Sequence, residues 1–315
     1  MMCTLRRAGT PLLAVLLACS AGAVQAADAP LQTIRVATVP ADAGSEVYYA
    51  QKLGFFKNNG LDVQISGLTN GSAVTAAVVG GAADIGQSNV VSLAQAHERG
   101  IPVVIIAGAN DYRVSAQESG MVVAADSPIH TAKDLTGKTI GINGVRGIQE
   151  IGTDTWLDKN GGDSKTVKYL DLPFSAMAEA VAQHRVDAAV ITQPQLQAAL
   201  DTKTVRQVAD VYSAIANDFL LGGWFAMSPW VQAHPQVAAA FAKTMYQAAK
   251  WANAHQAESA AILEEATKVH MDRTDHRVPF AESLIPGDVQ KVIDVTAKYG
   301  ILKTAFPAGQ ILLGE

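Results

Sequence analysis

The chain has 315 residues, 49% of them hydrophobic and 17% charged, with a formal net charge of −5. So much apolar material in so long a chain builds a substantial core in two lobes, and it excludes disorder. No run of lysine or arginine occurs, and without a basic patch neither nucleic acid nor an anionic membrane surface is an expected partner.

At the N-terminus, Arg6 and Arg7, an apolar stretch over residues 12–18 and the small-residue site Val24-Gln25-Ala26 read as the three regions of an export signal. The stretch is too short to span a bilayer as a stable anchor. A mature chain from Ala27 keeps 22 basic against 29 acidic side chains, a charge of −7. Both cysteines, Cys3 and Cys19, fall inside the signal. The mature chain therefore has no disulfide, thiol nucleophile or cysteine metal ligand. Leu16-Leu17-Ala18-Cys19 also resembles a bacterial lipobox, so the alternative is a lipoprotein anchored through Cys19. Either route puts the folded part outside the cytoplasm, in the periplasm.

Residues 33–39 are rich in β-branched side chains and stop at Pro40, which predicts a strand. A helix is predicted over 45–58, closed by Gly60, and a second strand over 61–65. A short helix after Ser72, a strand over 83–86 and a helix over 89–99 follow. The almost wholly apolar run 103–107 is a buried strand, and 110–119 reads as a polar connector. A second series has strands at 120–125, 138–142, 167–170, 187–191 and 206–209, with helices at 145–159, 174–184 and 195–200. From Pro229 onward the pattern is helical, at 237–255, 257–270 and 289–299. Strands alternating with helices, the strands apolar throughout, mean parallel sheet covered on both faces.

The two series echo each other. Ala77-Val78 precedes Asp84 by the same spacing as Ala180-Val181 precedes Asp187, and each aspartate opens a buried strand with a polar end. In open parallel sheets ligands sit beyond the carboxyl ends of the strands, where helix N-termini present free N–H groups. Polar clusters fall at such places: Ala41 to Ser45, Asn70 to Ser72, Gln87 to Asn89, Asn143 to Gly147 and Thr192 to Gln195. Any one of these serines or asparagines is accounted for as a helix cap. Their number at one edge suits a cleft that binds a small molecule through neutral groups. The candidate ligand-binding residues are Ser45, Ser72, Ser88, Asn89, Asn143, Arg146, Thr192, Gln193 and Trp224. Arg146, beside a helix start, would pair with a carboxylate or sulfonate, or else is a solvated surface arginine. Trp224 sits on a strand after Gly222-Gly223, its indole facing either cleft or core. The stretch 270–276 holds two histidines and two aspartates but fits a solvated helix end better than a metal site. No catalytic motif or cofactor fingerprint is present, so neither enzyme activity nor a cofactor is expected.

Taken together, Tyr48 to Val63, Gly71-Ser72, Gly81-Ala82-Ala83-Asp84-Ile85-Gly86, Asp134 to Gly141 and Arg185-Val186-Asp187 resemble the periplasmic substrate-binding proteins of ABC transporters in the nitrate/sulfonate/taurine class, which also includes thiamine-precursor binders. The resemblance implies an α/β fold of two lobes, each a mostly parallel sheet flanked by helices, with two crossing strands as hinge: the type II periplasmic-binding-protein architecture. Its implied organisation is a signal peptide over 1–26, the first part of lobe 1 over 27–115, lobe 2 over 116–221, and the completion of lobe 1 with the C-terminal helices over 222–315. The implied function is capture of a small organic anion between the lobes by a monomer, and delivery to an inner-membrane ABC permease. Alternatives are a sensor for a membrane receptor, or a binder of a thiamine-precursor pyrimidine. A fungal pyrimidine synthase shares the superfamily but carries a cysteine-rich signature that the mature chain lacks.

Overall fold

Strand β1 (Gln32–Thr38) alternates exposed and buried residues before its inner end is wholly buried, as the β-branched pattern requires. The computed structural model describes residues 1–2, 30–116, 118–268 and 277–314; the stretch expected to be an export signal, from residue 3 on and with Cys19 in it, and the 270–276 stretch lie outside the described residues. The helix predicted over 45–58 is two, α1 (Glu46–Lys52) and α2 (Phe55–Asn58). Gly54 breaks it by adopting φ 73°, a left-handed conformation that glycine takes without steric cost. Next come β2 (Leu61–Gly67), α3 (Gly71–Val79), β3 (Ile85–Asn89), α4 (Val90–Glu98) and β4 (Val103–Arg113). The second series holds β5 (Ser119–Ala124), β6 (Thr139–Ile142), α5 (Ile148–Lys159), β7 (Lys168–Asp171), α6 (Phe174–Ala182), β8 (Ala188–Thr192), α7 (Gln195–Asp201) and β9 (Val205–Ala209). Strand β10 (Asp218–Met227) precedes α8 (Ser228–Ala233), α9 (Pro235–Ala254), α10 (Gln256–Thr267) and α11 (Pro286–Lys298).

The strands form two five-stranded sheets, ordered β2-β1-β3-β10-β4 and β7-β6-β8-β5-β9. Each is mostly parallel with one reversed strand inside it: β10 runs antiparallel to β3 and β4, and β5 antiparallel to β8 and β9. Both lie within the unit Leu31–Glu315. The chain leaves the first sheet after β4 and returns along β10, and Val114 N donates to Asn217 O at 3.0 Å where the two crossings run together. The apolar run predicted a strand ending at Ala107. The observed β4 continues to Arg113 because β10 pairs with it along its length, Gly222 opposite Asn110 and Asp218 opposite Arg113.

The echoed aspartates do the same work in both sheets. Asp84 accepts from Arg35 N at 2.8 Å and holds the Arg35 guanidinium at 2.6 Å, tying the turn before β3 to β1. Asp187 accepts from Thr139 N at 2.9 Å, tying the turn before β8 to β6. In each case the aspartate's own N–H donates to the same neighbouring residue's carbonyl, at 2.9 Å. One apolar cluster runs from β4, α3 and α4 through α11 into α5 and the second sheet, and a separate cluster packs α9 on the opposite face of the first sheet.

Candidate functional site

The two sheets meet at the strand ends where the polar clusters lie. Asp42 N donates to Gln193 O at 3.2 Å, and Asn143 Nδ2 donates to Thr69 O at 3.2 Å. Between these contacts is a cavity of about 80 Å³. At about 10–15 Å³ per water-sized probe, that is room for one small substituted ring. Gln87, Asn89, Asn143 and Thr192 line it, together with Glu118, Tyr212 and the half-buried Phe174. Val39 and Phe174 also border an outer vestibule of about 440 Å³, so they form the wall between cavity and entrance.

Each polar side chain has a local reason for its position. Asn89 ends β3 and caps α4 by accepting from Ser92 N at 3.0 Å. Asn143 follows β6, and its turn is held by Gln149, which accepts from Asn143 N at 2.6 Å and donates to Val190 O at 3.0 Å. Thr192 ends β8 and donates to Glu118 O at 3.0 Å. Glu118 opens the strand returning from the first crossing. Its side chain is 2% exposed, and Oε1 has no hydrogen-bond partner among the described residues. Burial pushes this carboxyl well above the usual carboxylate range, and the charges of Asp42, Asp210 and Asp111 push the same way. Among the described residues no lysine or arginine lines the cavity.

Of the residues singled out in the sequence, then, Asn89, Asn143 and Thr192 come together around the cavity, and the others do not line it. Ser45 is buried with Oγ 2.6 Å from both Asp42 O and Tyr49 Oη, inside a network in which Arg277 pairs with Asp42 at 2.6 Å. Ser88 turns toward α3 and donates to Gly71 O at 2.9 Å. Gln193 accepts from Gln197 N at 3.2 Å and serves the start of α7. Trp224 faces the core and not the cleft: it is fully buried against Phe241, with Nε1 donating to Glu46 Oε2 at 2.6 Å. Its alternation along β10 puts it on the face that α9 covers, which decides the matter. Ser72 and Arg146 line a separate outer groove of about 340 Å³ with Gln95 and Arg99. The Arg146 guanidinium donates to Ile301 O at 2.9 Å, and its own carbonyl accepts from Gln95 Nε2 at 2.7 Å. Both bonds join the two halves of the molecule.

Glu118, Asn110 and Tyr212 escaped the sequence reading. Glu118 and Asn110 fall in what reads as a polar connector, where an acid or amide signals only solvent; their burial follows from the crossing of β4 and β10. Among the described residues no group of three or more histidine, cysteine or acidic side chains has the arrangement of a metal site, and no helix is long and apolar enough to cross a membrane.

The model of one family, described as NMT1/THI5 like, matches residues 44–259. The chain belongs to this family. Among relatives, it is 28% identical to the formylaminopyrimidine-binding protein of Halalkalibacterium halodurans over 52% of the chain, spanning about half (49%) of that protein's length. It is 30% identical to the 4-amino-5-hydroxymethyl-2-methylpyrimidine phosphate synthase of Schizosaccharomyces pombe over 32% of the chain and 28% of that enzyme. Among solved structures, the alkanesulfonate-binding protein SsuA of Xanthomonas axonopodis pv. citri, bound to MOPS, superposes with a TM-score of 0.75 at 18% identity, over 90% of this chain and 99% of that one. The family fold is thus the two-lobed binding-protein architecture, with the cavity described above between its sheets.

Proposed function

We propose that the protein is an extracytoplasmic solute receptor that closes its lobes over an amino-substituted pyrimidine and presents it to an ABC permease. The observation that carries this reading is Glu118: a buried carboxyl with an unpartnered oxygen, in a cavity that no cationic side chain among the described residues lines. An organic anion there would bring a negative charge into a low-dielectric space without a cationic partner, which is costly. A protonated carboxyl offers one donor and one acceptor side by side. An exocyclic amine next to a ring nitrogen presents the complementary pair. Tyr212 and Phe174 supply aromatic faces for a planar ring, and the name of the Halalkalibacterium relative points to the same ligand class. The expectation of an organic anion rested on Arg146, whose guanidinium donates to Ile301 O in the outer groove.

Calorimetric titration of the purified protein tests this with 4-amino-5-hydroxymethyl-2-methylpyrimidine, a formylated aminopyrimidine, an alkanesulfonate and nitrate. Binding of the aminopyrimidines alone supports the reading. Saturable binding of the sulfonate or nitrate, with none of the pyrimidines, overturns the ligand class and leaves the receptor role in place.

A further inference from the structure

The turn over residues 41–45 supplies Ala41, Ala43 and Gly44 to the cavity wall. Asp42, within it, donates its backbone N–H to Gln193 O across the meeting of the two halves. The anchor of this turn lies 235 residues along the chain, at Arg277. The Arg277 and Asp42 side chains are 2% and 0% exposed. Arg277 Nε donates to Asp42 Oδ2 at 2.9 Å and Nη2 to Oδ1 at 2.6 Å, and Val278 N adds a third bond, to Oδ2 at 2.9 Å. The other guanidinium N–H groups donate to Gln256 O at 2.8 Å and Ser259 Oγ at 3.1 Å, at the start of α10, and to Tyr49 Oη of α1 at 2.8 Å.

A guanidinium with every N–H engaged fixes its partners in direction as well as distance, because its donors lie in one rigid plane. A buried carboxylate without that partner is costly, so Asp42 is held to one position. Ser45 Oγ donates to Asp42 O at 2.6 Å and Thr38 Oγ1 to Gly44 O at 2.9 Å. These two bonds keep the turn's shape, but both come from residues close by in the chain; only the ion pair ties it to the C-terminal part of the fold. We infer that Arg277 is a positioning residue for the cavity: through Asp42 it sets the turn so that residues 41, 43 and 44 wall the cavity and Asp42 N meets Gln193 O. Arg277 does not itself line the cavity. The inference rests on the cavity as the ligand's place and holds whichever ligand fills it.

Hydrogen exchange and calorimetry of the whole protein, with 4-amino-5-hydroxymethyl-2-methylpyrimidine as the probe, test this. Arg277→Lys keeps the positive charge but offers a single nitrogen, which cannot serve both Asp42 oxygens together with α10 and α1. In this variant without probe, amide exchange over 41–45 is expected to rise at least about tenfold, with β1 and β3 unchanged. The probe is expected to bind at least about tenfold more weakly, the size of one charge-assisted hydrogen bond lost from a preorganised turn. Asp42→Ala combined with Arg277→Met leaves no buried charge unpaired, so it recovers most of the melting temperature that Arg277→Met alone loses. Its affinity should nonetheless stay at least about tenfold below native, and it carries the test if Arg277→Lys does not fold. An ion pair that serves stability alone would let affinity return with the melting temperature, and that result overturns the inference. Native exchange over 41–45 in Arg277→Lys overturns it too, as does affinity within about twofold of native despite faster exchange. Native protein that fails to bind the probe brings down the proposed ligand class but not this inference, which exchange over 41–45 then decides by itself.

Discussion

The cavity and the outer groove are each built from both halves of the molecule, yet they treat their polar groups in opposite ways. In the groove, Gln95, Arg99 and Arg146 bond to one another or to backbone: Gln95 to Arg146 O, Arg99 to Gln95 Oε1 at 3.4 Å, Arg146 to Ile301 O. In the wall of the cavity, Glu118 Oε1 has no partner among the described residues. A leftover hydrogen-bonding capacity that is buried and expensive marks a ligand's place better than a conspicuous charge that is already satisfied. Arg146 is the conspicuous charge, held at φ 58°, a conformation disfavoured for any side chain but one that aims its carbonyl and guanidinium at the facing half.

That contrast is most open to attack at Glu118. Replacing it by leucine removes both hydrogen-bonding atoms from the cavity, and aminopyrimidine affinity is expected to fall at least about 100-fold, the size of two buried hydrogen bonds. The same variant should unfold at higher urea concentration, since a buried acid without a full set of partners disappears. Titration and urea melts of one sample check both; a loss below about threefold would move the ligand elsewhere.

A pH effect follows from the same carboxyl. Burial keeps Glu118 protonated in the folded chain to a higher pH than in the unfolded chain. The folded state therefore holds the extra proton from about pH 4.3, the ordinary glutamate value, upward. Stability of the free protein falls as pH rises through this window, until the folded carboxyl ionises as well. Asp111, which burial pushes up to about 6, contributes with the same sign over its own range. Melting curves between about pH 5 and 8 should show this decline, flattened in Glu118→Gln; an unaltered slope would assign the proton to another group.

In the groove the effects should be small. Arg146→Ala removes one hydrogen bond between the halves, so affinity is expected to drop only about fivefold, through faster dissociation. Stopped-flow release with a bound aminopyrimidine measures it, and a loss comparable to that of Glu118→Leu would erase the distinction between the two regions. Ser72→Ala, smallest of all, should leave affinity within about twofold.

Much of the fold was legible because it rests on local signals. Apolar runs of strand length, glycines at helix ends and the repeated spacing before Asp84 and Asp187 pointed to alternating strands and helices, and the two aspartates do anchor corresponding turns. Asn89, Asn143 and Thr192 were legible as candidates for a related reason: the end of a parallel strand is where a cleft opens. Helix 45–58 failed as a single element because Gly54 reads the same in a helix interior as in a break. Ser45, Ser88 and Gln193 do not line the cavity, and their sequence signal did not tell this apart, because capping and network bonding use the same side chains as ligand binding.

From the order of its residues alone, this protein is an alternation of buried strands and amphipathic helices with polar strand ends, since side-chain period and backbone propensity are properties of neighbours along the chain. Which polar residues lose water, and which of those then lack a partner, depends on strands brought together from far apart. Glu118 and Asn110 lie in a stretch that reads as solvent-facing until β10 returns beside β4 and covers it. Desolvation is set by everything that surrounds a group in space, so the chemistry of this cavity was decided only by the tertiary structure.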